Sequence, residues 1–262
     1  MARKTKTTRR SKKQKSNVVS LFEYEVTQNL KAQQEGPRKK SWNVLDIKNI
    51  KPLTEAQRAM IESYWEGNEI VATGSAGTGK TYMAVWLALQ TVLSKDYPQD
   101  NIKIVRSIVP TRDIGFLKGT EEEKIAPYEA PYIDIFADLL KKSHSYEDMK
   151  EASVVSFQDT MAIRGVTFNN SVIIIDEFQS MNFHELSSVI TRVGKNSRII
   201  VVGDFHQNDL NMKSNDQSGY EDFMKVVALM KEFDVVHFTR KDIVRSSFVK
   251  SFICACEDAH VY

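Results

Sequence analysis

Cysteine is nearly absent. Cys254 and Cys256, two apart, are the only pair in 262 residues, and no second pair completes a zinc site or a disulfide framework. A reduced, cytoplasmic compartment is therefore expected. No apolar run approaches the roughly 18 residues of a membrane span. The first residues carry no apolar signal-peptide core, so no membrane partner is expected. Histidine is sparse, and His144, His184, His206, His237 and His260 are too scattered to be assigned to a metal. No internal repeat is visible. Acid is missing from residues 1–16, which carry eight Lys and Arg. A formal total of +2 thus leaves −6 on residues 17–262. So basic a stretch is expected to stay disordered. It either neutralises nucleic-acid phosphates or is a solubilising tail.

Apolar and charged residues, at 42% and 27%, are in ordinary globular proportion. Residues 1–40 read as tail and linker, with Gly36-Pro37 breaking the chain after a short apolar segment at 18–26. A domain is expected over 41–262. Its first helix opens at Thr54, a natural N-cap with Gln57 at the capping-box position, and closes at Gly67. Strands at 69–73, 102–109, 153–157, 172–176, 198–203 and 234–239 then alternate with helices at 80–93, 124–142, 183–193, 220–232 and 246–257. Two strands, 153–157 and 172–176, follow one another without a helix between them. Pro127 and Pro131 are expected to interrupt the first turns of the helix at 124–142. The strands are continuous apolar runs rather than alternating ones, as in sheets covered on both faces. The fold class expected is α/β, one domain with a mostly parallel sheet and helices on both faces.

The chain is organised around Gly74-Ser75-Ala76-Gly77-Thr78-Gly79-Lys80-Thr81. It reads G-x-x-x-x-G-K-T, with an apolar strand before it and an apolar helix after it. Glycines let successive N–H groups converge on phosphate oxygens at a helix N-terminus. Lys80 is then expected to reach the β- and γ-phosphates and the Thr81 hydroxyl to ligate Mg2+. Such a loop serves kinases, switches and motors alike. A second signal is Val172-Ile173-Ile174-Ile175-Asp176-Glu177, an apolar strand ending in two acids. Asp176 is placed to hold Mg2+ through water and Glu177 to polarise the attacking water. A third is Gly203-Asp204-Phe205-His206-Gln207, where Gln207 can contact the γ-phosphate at the same sheet edge. Gln57, seventeen positions before Gly74, carries a donor and an acceptor suited to an adenine edge.

Together these segments resemble the helicase-type ATPase core of superfamily I, and specifically the PhoH-like ATPase family. Leu53-Thr54-Glu55-Ala56-Gln57 is similar to the family's Leu-Thr-x-x-Gln, and residues 115–128 to its G-F-L-P-G-x-x-E-E-K-x-x-P-Y. Residues 164–168 are similar to R-G-x-T-F, Asp176-Glu177-Phe178-Gln179 to D-E-A-Q, and Gly203-Asp204 with Gln207 to G-D-x-x-Q. Residues 241–245 are similar to K-D-V-V-R. The resemblance covers residues 50–257. Lys118 replaces a proline, Phe178 a small residue and Ser246 a histidine. It implies a RecA-like P-loop domain that binds ATP and Mg2+ and hydrolyses ATP, stimulated by single-stranded RNA or DNA. Helicase or translocase movement is an extension of that reading. A P-loop kinase and an ATP-dependent switch or loader are the alternatives.

Phosphoryl transfer needs positive charge at the γ-phosphate beyond Lys80 and Mg2+. Arg245, or Arg240, is expected to supply it, either in cis or to a neighbouring subunit. A homo-oligomer such as a hexameric ring, also implied by the resemblance, would provide the neighbour. Arg106, Arg112 and Lys118, with Phe116 and Tyr128, either form a basic path with stacking rings for a nucleic-acid strand or are solvated loop residues.

Overall fold

In the computed structural model the residues described are 42–108, 121–160, 163, 165–204 and 219–259, less the side chains of 121, 122 and 124. The tail, the apolar segment at 18–26, Arg112, Phe116, Lys118, Arg164 and Gln207 lie outside them. All described residues belong to the compact unit of residues 40–262.

Six strands, β1 (Glu69–Gly74), β2 (Asn101–Arg106), β3 (Val155–Asp159), β4 (Ser171–Ile175), β5 (Arg198–Gly203) and β6 (Phe233–Phe238), form one sheet in the order β3-β2-β4-β5-β1-β6. Every neighbouring pair is parallel. Alternate residues of each strand feed opposite layers, as the two-residue period requires. Ile102, Ile104, Val172, Ile174, Ile200 and Val202 join one buried cluster, with α1 (Glu55–Trp65), α2 (Lys80–Leu93), α3 (Glu121–Leu140) and α4 (Ser145–Glu151). Ile173, Ile175, Ile199 and Val201 join the other, under α5 (Phe183–Ile190) and α6 (Tyr220–Val227). The terminal helix α7 (Ser247–Ala259) seats Ile253 against the loop that follows β1. Both faces are thus covered, which is why the strands read as unbroken apolar runs.

Three local expectations are corrected. Pro127 and Pro131 do not break the early turns, because both lie inside α3, which begins at Glu121. Four residues apart, they drop two N–H donors from a single face of the helix. The capping box of α1 is incomplete: Thr54 accepts from the Gln57 backbone, but the Gln57 side chain reaches past it to Leu53 N. β2 ends at Arg106, and β3 runs Val155–Asp159, two residues later than the apolar pattern suggests.

Candidate active site

β1 delivers the chain to Gly74, whose φ is +121°. A Cβ there would lie 1.8 Å from the carbonyl oxygen of Phe238, so β6 closes on this turn too tightly for any side chain. Gly77 is also left-handed, and a Cβ would meet the Arg245 side chain at 2.9 Å. Between them the loop is tied from within and below. Thr78, fully buried, donates its hydroxyl to Ser75 O at 3.0 Å. Gln57 Nε2 donates to Thr78 O at 3.0 Å while its carbonyl accepts from Leu53 N at 2.8 Å. Among the described residues these are the side-chain bonds of Gln57, which also lines the cleft described below. Gly79 precedes α2 in a left-handed conformation without a side-chain cap, so the first-turn N–H groups are left for an anion. Ser75, Ala76 and Gly79 complete the cradle.

Lys80 is buried and folds back along the loop, donating to Gly74 O (2.6 Å) and Ser75 O (2.8 Å). Burial pulls its pKa down, against the opposing pull of Asp204, Glu177 and Asp176. Thr81 Oγ1 donates to Asp176 Oδ1 at 3.0 Å, joining the start of α2 to the end of β4. Asp176 is buried, and burial first, then the neighbouring Glu177, pushes its pKa up to about 6. Hydrogen bonds from Tyr132 and Thr81 and the charge of Arg106 restrain that rise. Glu177 takes a left-handed backbone, φ 54° and ψ 42°. A non-glycine residue there is strained, a state found where surrounding structure fixes a functional side chain. The carboxylate of Glu177 accepts from Gln179 Nε2, and Gln179 Oε1 accepts from Asp204 N at 3.0 Å. One buried glutamine therefore joins the acidic strand end to the Gly203-Asp204 strand end. Phe178 fills the space behind, stacked on Tyr220 at 5.1 Å, and Tyr220 in turn meets the Thr73 hydroxyl at 2.9 Å.

The two candidate arginines separate. Arg240 is engaged by Glu257 and Asp258 on α7. Arg245 instead lines the cleft over Gly77, on a segment anchored by the hydrogen bond from Val244 N to Gly77 O at 3.0 Å. Of the two, Arg245 is the one brought to the phosphate loop, from within the same chain.

Of the cations considered for a basic path, Arg106 is the one within the described residues. It ends β2, and β2 adjoins β4, so it lines the same cleft as Asp176 and Glu177. Burial lowers its pKa, but Tyr132, Asp176 and Glu177 outweigh this, and the net shift is upward. Its guanidinium lies 5.6 Å from the Tyr128 ring centroid. Tyr132 was not singled out by any motif. It is fully buried on α3 and donates to Asp176 Oδ2 at 2.6 Å. The only available signal was the close repeat Pro127-Tyr128 and Pro131-Tyr132.

These groups share a cleft of about 900 Å³ bounded by Leu53, Gln57, Lys80, Asp176, Arg106 and Arg245. That volume suits a nucleotide. Thr81 and Asp176 offer only hard oxygen donors, and among the described residues no group of three or more His, Cys, Asp or Glu is arranged to hold a metal ion by itself. Such a half-shell fits Mg2+, which takes one or two protein ligands and completes its octahedron with phosphate oxygens and water. Among the described residues no helix is long and apolar enough to cross a membrane.

Comparison with known proteins agrees with the residue pattern. Residues 49–257 match the family described as PhoH-like protein. The protein PhoH of Escherichia coli K12 is 32% identical over 204 residues, covering 77% of this chain and 56% of that protein. A PhoH-like protein of Bacillus subtilis is 28% identical over 235 residues, covering 89% and 67%. The chain thus spans little more than half the length of the Escherichia coli relative. Among solved structures, the Pif1 helicase of Candida albicans aligns over 76% of this chain and 43% of its own, at 16% identity and a TM-score of 0.35.

Proposed function

The chain belongs to the PhoH-like protein family, and from that premise we propose that it is a Mg2+-dependent ATPase that acts on single-stranded RNA or DNA. The observation that carries the reading is the pairing of Thr81 with Asp176 at 3.0 Å beside a strained Glu177. It joins a phosphate cradle to a carboxylate placed for water. A bare phosphate-binding turn has no use for either acid.

Each residue then has a part. The N–H groups of residues 77–81 and Lys80 bind the phosphates, Lys80 exchanging its carbonyl partners for phosphate oxygens. Thr81 and Asp176 would hold Mg2+, which when bound would supply positive charge against that of the phosphates. Glu177 orients water and takes up its proton, a role worth about 10²–10⁴-fold in rate. Gln179 keeps the Glu177 carboxylate aimed. Gln207, outside the described residues, is assigned to sense the γ-phosphate, and Gln57 to read the base. Arg245 supplies the extra positive charge, in cis or across a subunit boundary of a ring. The chain's acidic pair and its Gly-Asp-x-x-Gln segment favour hydrolysis over a kinase, for which no acceptor site is visible in the sequence.

Phosphate release measured with and without single-stranded RNA and DNA tests this. Release accelerated by either polymer is expected. Absence of release under every condition would leave a switch or loader, and release indifferent to nucleic acid would remove the nucleic-acid role. Subunit number with and without nucleotide tests the ring, which a strict monomer in both states eliminates.

A further inference from the structure

We propose that Tyr132 is a positioning residue for the metal-holding carboxylate, its buried hydroxyl fixing Asp176 Oδ2 so that Oδ1 stays turned toward Thr81. The proposal rests on the ATPase reading above and extends it to a residue outside the motifs that carry it.

The two oxygens of Asp176 are divided between two sets of partners. Oδ1 accepts from the Thr81 hydroxyl at 3.0 Å and from Glu177 N at 3.1 Å. Oδ2 accepts from Tyr132 Oη at 2.6 Å, the shorter contact and the one supplied from α3 rather than from the start of α2. The terminal torsion of an aspartate is broad and roughly two-fold. Among the described residues Tyr132 is the hydrogen-bond donor on Oδ2, so its hydroxyl is what restrains that turn. A competitor stands next to it: Arg106 ends the adjoining strand, and its charge acts on Tyr132, Asp176 and Glu177 together. A neutral hydroxyl holds the carboxylate without neutralising it, whereas a direct ion pair with Arg106 would draw it off the metal. Tyr132 is itself immobilised. It has no exposed surface, and its ring packs on Phe157 with centroids 5.8 Å apart. A group that orients a metal ligand in this way is worth about 10–100-fold in metal affinity.

The experiment is a Mg2+ titration of the full chain at fixed fluorescent ATP analogue, with equilibrium binding in EDTA and thermal midpoints in metal-free buffer alongside. Tyr132→Phe should leave metal-free analogue affinity within about threefold of wild type and raise the Mg2+ concentration at half-effect about 10–100-fold. Phe157→Leu loosens the same packing and keeps the hydroxyl, so it should lower the thermal midpoint and leave the Mg2+ midpoint alone. An unchanged Mg2+ midpoint in Tyr132→Phe overturns the proposal. So does an equal rise in both variants, or a Tyr132→Phe chain that does not fold, since the hydroxyl would then serve packing. If the wild-type chain binds no analogue, or gains nothing from Mg2+, the ATPase reading fails instead, before either variant is compared.

Discussion

At the amino end of the sheet, Arg198 lies 4.1 Å over the Tyr64 ring, donates to Tyr64 O and Asn68 O, and stands 3.5 Å from Glu69. Glu69 also accepts from Ile199 N. At the carboxyl end, about one strand length away, Lys80 donates to loop carbonyls and Asp176 accepts from hydroxyls. Both ends bury charge. At the first, opposite charges face each other and the backbone, so the arrangement is spent on holding strands and α1 together. At the second, cation and anion are each held by neutral groups, and the field between them stays available to phosphate and metal. Burial of charge alone therefore does not mark a site; what differs at the carboxyl end is that Lys80 and Asp176 take their hydrogen bonds from neutral groups rather than from each other.

Four changes would break or sharpen that contrast. The largest effect is expected from Arg245→Ala, which should cost about 10³-fold or more in turnover and spare ATP binding. Equal loss of both would show that Arg245 holds nucleotide rather than the transition state. Glu177→Gln should lower turnover by about 10²–10⁴-fold, with ATP binding within a few-fold of wild type; phosphate release and equilibrium binding measured on the same preparation decide it. At the other end, Arg198→Ala should cost about 2–3 kcal/mol in urea denaturation, less than for a fully enclosed pair because both side chains keep some exposure. Activity per folded molecule should not change. A fall in turnover would mean the two ends are coupled.

The smallest effect carries the opposite sign. With a folded pKa of about 6 against 3.8, Asp176 binds its proton more tightly when folded. Its contribution to stability is then full below about pH 4 and is lost as pH rises through 6. In metal-free buffer, Asp176→Asn should therefore be more stable than wild type by about 1–3 kcal/mol at pH 7.5. The gap should close toward pH 4. A variant less stable at pH 7.5 would show that the hydroxyls and Arg106 already make the charged carboxylate welcome. The same substitution should abolish the Mg2+-dependent part of nucleotide binding.

Much of this site could be read from the chain because it is local. Gly74 to Thr81 is one turn, and Asp176-Glu177 is one strand end, so spacing alone fixes which groups act together. What spacing missed is lateral. Arg106 reaches the acids because β2 lies beside β4, an adjacency that chain order does not state. Tyr132 reaches them because α3 lies over that edge. Arg240 and Arg245 were both candidates in sequence, and the structure separates them: the acids of α7 engage Arg240, while the bond from Val244 N to Gly77 O brings Arg245 to the loop. The proline pair in α3 misled for a related reason: propensity is a local preference, and burial of Tyr132, Phe136 and Leu139 outweighs it.

The sequence by itself determined the class of fold, through apolar runs alternating with helical stretches, and the phosphate loop, through glycines whose left-handed turns no other residue adopts at low cost. Tertiary structure decided which charges would be neutralised and which kept apart. That choice depends on strand order and on helices crossing the sheet edge, and no pattern within one segment records which distant segment will lie beside it.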